Sequence, residues 1–209
     1  THQYLLAGYY NVTLWTYNAT NDVWGYLTKT IRIDRNVTLL TPKEGEAGYN
    51  WVAWQGNKTN ASELSEVLNL SKGYWIHYYN STSDEWEGYF VGYNAGINSV
   101  IDNWDTTVIV VNRNITKRIN ATEIHNFSTK NGIYMKEGYN VLSWSVYSEK
   151  NASQLPLDFG EWAYKYDTIH RRWHAYMKGV GGDNFRIRPY DAILTYLTDS
   201  DWWNLMFGD

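Results

Sequence analysis

The side chains best placed for chemistry are His170 and His174, in the run His-Arg-Arg-Trp-His. Two imidazoles four residues apart share a face when they lie on a helix, a common way to start a zinc site. Here the spacing falls on a hairpin turn and its return strand, and no acidic or cysteine third ligand lies nearby in sequence. Both are therefore read as solvated turn residues. Arg171 and Arg172 beside them have the charge to meet an anionic sugar or phosphate, although adjacent arginines are usually plain surface. Carboxylates cluster at Asp84, Glu85 and Glu87 and again at Glu44 and Glu46. A glycosidase needs two facing carboxylates at a set separation. Neither cluster recurs along the chain, and both sit beside turn residues, which fits a role in solubility. The Gly179–Gly182 run lacks the Lys-Ser/Thr and helix of a phosphate loop, and neither a Gly-x-Ser-x-Gly turn nor an oxygen-rich calcium loop occurs. The expectation is a non-enzymatic protein with no catalytic residues, no metal and no cofactor.

A different chemistry is written eleven times. The acceptor pattern for N-linked glycans, Asn-x-Ser/Thr, occurs at Asn11, Asn18, Asn36, Asn57, Asn60, Asn69, Asn80, Asn114, Asn120, Asn126 and Asn151. Chance pairing in this composition gives roughly 3 such sites. A polar, turn-rich chain fond of Asn and Thr is the plainer explanation, and the excess weakens it. N-glycans are added on the secretory or outer face. The chain is therefore expected outside the cell or on its surface, with N-linked glycans as partners.

Composition narrows the rest. The 209 residues include 12 Trp, 19 Tyr and 5 Phe but only 3 Met and 3 Pro, a balance that suits pleated, half-buried sheet. A net charge of -4 argues against nucleic acid, which wants a clustered basic face. No apolar run is long enough for a membrane-spanning helix. The absence of Cys removes disulfides and thiolate chemistry together. The chain starts Thr1-His2-Gln3 without a leader segment, as expected of a processed chain or an excised piece.

The elements that position these residues repeat. Gly48-Tyr49-Asn50-Trp51-Val52-Ala53-Trp54 returns as Gly138-Tyr139-Asn140-Val141-Leu142-Ser143-Trp144, and Asn60-Ala61-Ser62-Glu63-Leu64 returns as Asn151-Ala152-Ser153-Gln154-Leu155. Trp75, Trp86 and Gly92 match Trp162, Trp173 and Gly179 at the same internal spacing, and Trp104-Asp105 matches Tyr190-Asp191 before a closing strand. Each unit reads as an opening strand, an Asn-capped short helix or turn, a Trp hairpin and a closing strand. Leu14–Asn18 and Val23–Tyr26 look like the same hairpin in a third copy that lacks its opening strand. Trp202–Phe207 stands as that missing strand. The chain divides accordingly into a first unit, 1–47, completed by 201–209; a second, 48–137; and a third, 138–200. Two closures are open: the C-terminal strand completes the first unit of its own chain, or it enters the next molecule and supports self-association, which is favoured. Trp202, Trp203, Leu205, Phe207, Tyr9 and Tyr10 are the candidate closure or subunit contacts, because one of each adjacent aromatic pair must point away from its own sheet. The hairpin Trp residues are read first as cross-strand core pairs and second as exposed platforms for sugar rings.

Taken as a series, Gly-aromatic-Asn, Asn-Ala-Ser-x-Leu and the Trp hairpin resemble a repeat of archaeal cell-surface and surface-layer-type glycoproteins, also seen in structural proteins of archaeal viruses. The resemblance implies an extracellular, N-glycosylated, structural role: part of a surface layer, a filament or a virion appendage. The alternative is an adhesin or carbohydrate-binding module that uses exposed Trp and Tyr. The expected fold is mainly β, as three tandem aromatic-rich units with the first split between the termini.

Overall fold

The computed structural model describes residues 8–54, 57–80, 83, 85–102, 105–119, 133–144 and 149–203. The protein is mainly β. β1 (Gly8–Asn18) and β2 (Val23–Ile33) are followed by β3 (Arg35–Leu39), β4 (Gly48–Ala53), β5 (Thr59–Asn60) and the helix α1 (Ala61–Val67). Then come β6 (Trp75–Asn80), β7 (Glu85–Phe90), β8 (Ala95–Gly96), β9 (Val100–Ile101), β10 (Thr106–Val111) and β11 (Ile115–Ile119). The second half contains β12 (Ile133–Met135), β13 (Gly138–Ser143), β14 (Lys150–Asn151), a 3-10 turn at Ala152–Gln154, β15 (Trp162–Asp167) and β16 (Arg172–Met177). It ends with β17 (Gly181–Gly182), β18 (Arg186–Ile187), β19 (Ala192–Leu197) and β20 (Asp201–Trp203).

Two antiparallel sheets of five strands form the body. Their orders are β4-β10-β6-β7-β8 and β13-β19-β15-β16-β17, so each strand of one occupies the same place as its counterpart in the other. The registers agree as well: Gly48 faces Val111 as Gly138 faces Leu197. Beside the first sheet lies the small pair β3·β11, and β12·β20 holds the corresponding place beside the second.

Local chemistry explains the shared path. The Gly-Tyr-Asn motif works through its Asn. Asn50 accepts from Leu40 N at 2.7 Å through Oδ1 and donates Nδ2 to Leu40 O and Gly48 O, both at 3.0 Å. Asn140 clamps Lys136 in the same way, at 2.9 and 2.7 Å. The clamp draws the incoming chain so close that a Cβ on Gly48 would meet Leu40 O at 2.1 Å, while Gly138 takes φ +91°, a region open to Gly. Asn60 caps α1 by accepting from Glu63 N at 2.9 Å, and Glu63 returns a bond to Asn60 N. In the second half Pro156 follows soon after, and the helix shrinks to the 3-10 turn.

One face of each sheet is packed. Val52, Ile76, Tyr89, Ile109 and Val111 meet Leu64 of α1, its C-cap Leu68, and Val37, Leu39 and Ile119 of the β3·β11 layer. Leu142, Ala163, Ile193 and Leu197 meet Met135, Leu155, Ile187 and Trp203. Trp54, Trp144 and Trp203 are the core tryptophans. The hairpin tryptophans are not: Trp75, Trp86 and Trp173 do pair across strands, but on the opposite, open face. The expectation that they are core pairs is corrected here. Alternation assigns Trp75 and Ile76 to different faces, and only the Ile76 face has a covering layer.

The third unit takes another form. Residues 8–33 make a two-stranded ribbon in register from Gly8↔Ile33 to Asn18↔Val23, joined to no further strand among the described residues. Asp201–Trp203 pairs with Ile133–Met135, which places it in the second half of the same chain and not against the ribbon. Residues 35–39 belong with the sheet of 48–111, and 133–135 with that of 138–197, which shifts the expected boundaries at 47 and 137. The aromatic alternation of the ribbon imitates the Trp hairpin, but the Asn clamp and Asn cap that organise a full unit are missing from it. Among the contact candidates, Trp203 is buried and Trp202 is exposed against Tyr134 at 5.2 Å. Tyr10 is half-buried in β1. Tyr9 lies in β1 with its side chain outside the description, as Leu205 and Phe207 lie outside the described residues. Replacing Trp203 by Ala should cost about 3–5 kcal/mol, the range for emptying a packed aromatic site. Trp202→Ala should stay below about 1 kcal/mol. Chemical denaturation of the two variants measures the difference, and equal losses would show that β20 is not seated in the core.

Candidate functional site

The open faces of the two sheets are the largest organised feature outside the core. On the first, Tyr49, Val110, Trp75 and Phe90 form one cross-strand row, Trp51, Val108, His77 and Gly88 the next, and Tyr79 faces Trp86. On the second, Tyr139, Tyr196, Trp162 and Met177 form one row, Val141, Leu194, Tyr164 and Ala175 the next, and Tyr166 faces Trp173. Rings stack along and between the rows: Trp75 on Phe90 at 4.4 Å, Phe90 on Tyr93 of the following turn at 4.5 Å, and Trp162 on Tyr164 of the next row at 5.6 Å. The strands of these faces carry no Asp, Glu, Lys or Arg on this side, among the described residues. The one histidine follows suit, since burial lowers the His77 pKa and leaves the ring neutral at pH 7. Burial raises the Tyr164 and Tyr166 phenols, so they too stay neutral.

The faces meet at a corner. Trp51 lies 5.1 Å from Trp173 and 5.5 Å from Trp86, edge to face, and Tyr49 approaches Tyr166 at 6.4 Å. Polar contacts lock the junction. Thr106 Oγ1 and Ser143 Oγ share a buried hydrogen bond of 2.7 Å, Thr168 Oγ1 donates to Tyr49 O at 2.7 Å, and Val52 bridges to Asp191. Arg35 reaches in from β3, donates to Ala53 O at 2.7 Å and lies 3.9 Å over the Tyr190 ring. Burial pulls its pKa down to about 10 against the pull of Tyr190 and Asp191, so the guanidinium remains charged at pH 7. Between the faces runs a cleft of about 720 Å³ lined by Trp51, Tyr79, Trp86, Tyr139, Val141, Tyr164, Trp173, Ala175 and Leu194. Flat neutral rings around an apolar floor can stack a sugar or seat an apolar protein surface. Among the described residues that line this cleft there is no Asp, Glu, His, Lys, Ser or Thr.

The groups picked out for chemistry lie elsewhere. His170 Nδ1 sits 2.7 Å from Asp167 Oδ2, and His174 Nε2 lies 3.5 Å from the same oxygen. His174 Nδ1 contacts Asp183. Asp167 stands three residues before His170 in sequence, which corrects the reading that no acidic neighbour lies nearby; Asp183 arrives on the chain entering β18. No group of three or more His, Cys, Asp or Glu among the described residues is arranged to hold a metal. Arg171 bonds Glu46 at 2.7 Å, while Glu87 is held below its usual pKa by hydrogen bonds from Asn80 and Ser99. Asp84 lies outside the described residues.

Nine of the sequons fall in described residues. Asn11, Asn18, Asn36, Asn57, Asn69, Asn114 and Asn151 are exposed, and Asn60 and Asn80 are half-buried. None stands on the open aromatic faces: Asn36 and Asn114 border β3 and β11, Asn57, Asn60 and Asn69 surround α1, and Asn80 ends β6 on the packed side of its sheet. Asn120 and Asn126 lie outside the described residues. Comparison with protein-family models, curated proteins and solved structures found no match to this chain.

The histidine cluster yields a pH expectation. Desolvation raises the Asp167 carboxyl, but hydrogen bonds from the His170 backbone and from both imidazoles outweigh it and hold the group at about 2. A depressed carboxyl contributes stability that is complete above its unfolded value near about 4 and lost as pH falls through its folded value. The Tm gap between wild type and Asp167→Asn should therefore narrow as pH drops from about 4 to about 2. A gap that ignores pH over that window would show that the ionised carboxylate is not what the histidines hold.

Proposed function

We propose that this chain is a non-enzymatic structural glycoprotein of an extracellular assembly, a subunit or segment of a surface layer, filament or virion appendage. The observation that carries the reading is the division of the surface. Sequons crowd the helix, the flanking strands and the turns, while the charge-free aromatic faces carry none. A surface sorted in this way suits a subunit with one side turned to sugar and solvent and another turned to protein. The resemblance to archaeal surface-layer-type repeats points the same way. No helix among the described residues is long and apolar enough to cross a membrane.

Asp201–Trp203 pair with Ile133–Met135 along one edge, so self-association through the C-terminal strand would use its other edge or the residues that follow. A second reading, an adhesin, is favoured by the exposed stacked rings Trp75, Phe90 and Tyr93, which have the form of a sugar platform.

Peptide mapping by mass spectrometry, on protein from its native source, should find glycan-bearing peptides at several exposed sequons, Asn18, Asn36 and Asn114 foremost. Unmodified peptides throughout would remove the reading's support. A glycan array with the purified chain should be blank, whereas selective binding lost on Trp75→Ala would install the adhesin instead.

A further inference from the structure

Solvent-facing sheet normally alternates apolar inside with polar outside. The open faces here break that rule: 19% of the chain is charged, yet among the described residues the strands put none of it on this side, and Lys72 reaches only the edge ring Tyr93, at 4.2 Å. Trp86, Trp173, Tyr49 and Tyr139 nevertheless remain 43–59% exposed. Loss of charge with enrichment of Trp and Tyr is the composition of an interface core.

The same chain displays the matching half. The β1·β2 ribbon is exposed along its whole length from Asn11 to Thr30, with Leu14, Trp15, Trp24, Tyr26 and Leu27 each 60–69% exposed. Between Asn11 and Thr28 its only charged residue is Asp22, in the turn. A two-stranded hairpin is marginal in water by itself and gains stability from a partner on its apolar side. The ring-bearing residues near its tip expose roughly 100–150 Å² each. Trp15, Tyr17, Trp24 and Tyr26 share one face of the ribbon, with Leu14 and Leu27 on the reverse, so the ring face offers about 400–600 Å², the share one partner gives to a small, weak interface.

We propose that the ribbon of one copy packs across the aromatic cleft of a second copy, head to tail. The inference rests on the reading of this chain as an assembling subunit and names the surfaces that assemble. Ribbon and cleft are different surfaces, so each pair leaves one of each unused and the contact propagates into a polymer. Dimensions fit: eleven residues of strand run about 36 Å, while a five-stranded sheet is about 24 Å wide. Asn18 ends β1 on the face opposite the rings, so a glycan there points away from the cleft, whereas Asn11 shares the ring face and must be bare for the ribbon to seat.

Sedimentation velocity of the full chain over a concentration series tests this. Wild type should associate as concentration rises. Trp24→Asp on the ribbon and Tyr139→Asp in the cleft should each weaken association by about thirtyfold or more, the effect of losing one hot spot, with near-ultraviolet circular dichroism unchanged. Tyr139→Ser serves in its place if that spectrum is lost. An equimolar mixture of the ribbon and cleft variants should recover dimers, since each retains the half the other lacks. A monomeric wild type overturns the proposal, and so does association that survives the cleft substitution or a mixture that stays monomeric. A sugar that binds the cleft of a monomeric chain also overturns it, in favour of the adhesin. None of these outcomes bears on glycan attachment, which peptide mapping reads separately.

Discussion

Among the described residues each five-stranded sheet has a covering layer on one side, and side-chain alternation turns that into a constraint on everything else. Residues that meet α1 and β3·β11, or their counterparts in the second half, become core. Residues one step along the same strands are committed to the other face. No rotamer change moves Trp75 to the side of Ile76, and a one-residue slip would expose the whole core set. The aromatic faces thus come from the same strands, in the same register, that make the cores.

The polar framework has the task of holding the covering layer in place. Asn50 and Asn140 bind the backbone just ahead of their own strands, Asn60 anchors the start of α1, and Asp105 and Asp191 accept from the backbone N–H three residues earlier at 2.7 Å each. Where one half substitutes, the role persists. Tyr78 hydrogen-bonds Asp105, and burial together with that carboxylate raises its pKa to about 12, while at the matching point of the second sheet Lys165 pairs with Asp191. Arg35 then joins the two sheets by serving Ala53 and Tyr190 together. The consequence for function is a rigid corner between two apolar faces, with the acceptor asparagines on the surfaces that the framework leaves wet.

The mainly β character, the matched motifs of the two halves, and the Asn cap at the helix start were all legible from residue order, because each depends on neighbours within a few positions. The hairpins around Trp75 and Trp162 were legible in the same way, whereas the pairing of Trp75 with Phe90 and of Tyr166 with Trp173 came from the structure. Residue order misled where the partner was distant. Trp203 was read as a closure or subunit contact and packs in the core of the second half instead, and Asp183 was invisible as a neighbour of His174.

What the sequence by itself determined is local: which segments are strands, where the Asn clamps and caps stand, and which residues share a face. Periodicity and hydrogen-bonding chemistry act over a few residues and need no knowledge of the rest of the chain. Only the tertiary structure decided which face was covered, that Asp201–Trp203 closes on Ile133–Met135, and that the residues 8–33 stand as a ribbon. Those outcomes turn on which layer reaches a given face and which edge a strand finds. They arise from contacts between residues tens of positions apart, which alternation within one strand does not encode.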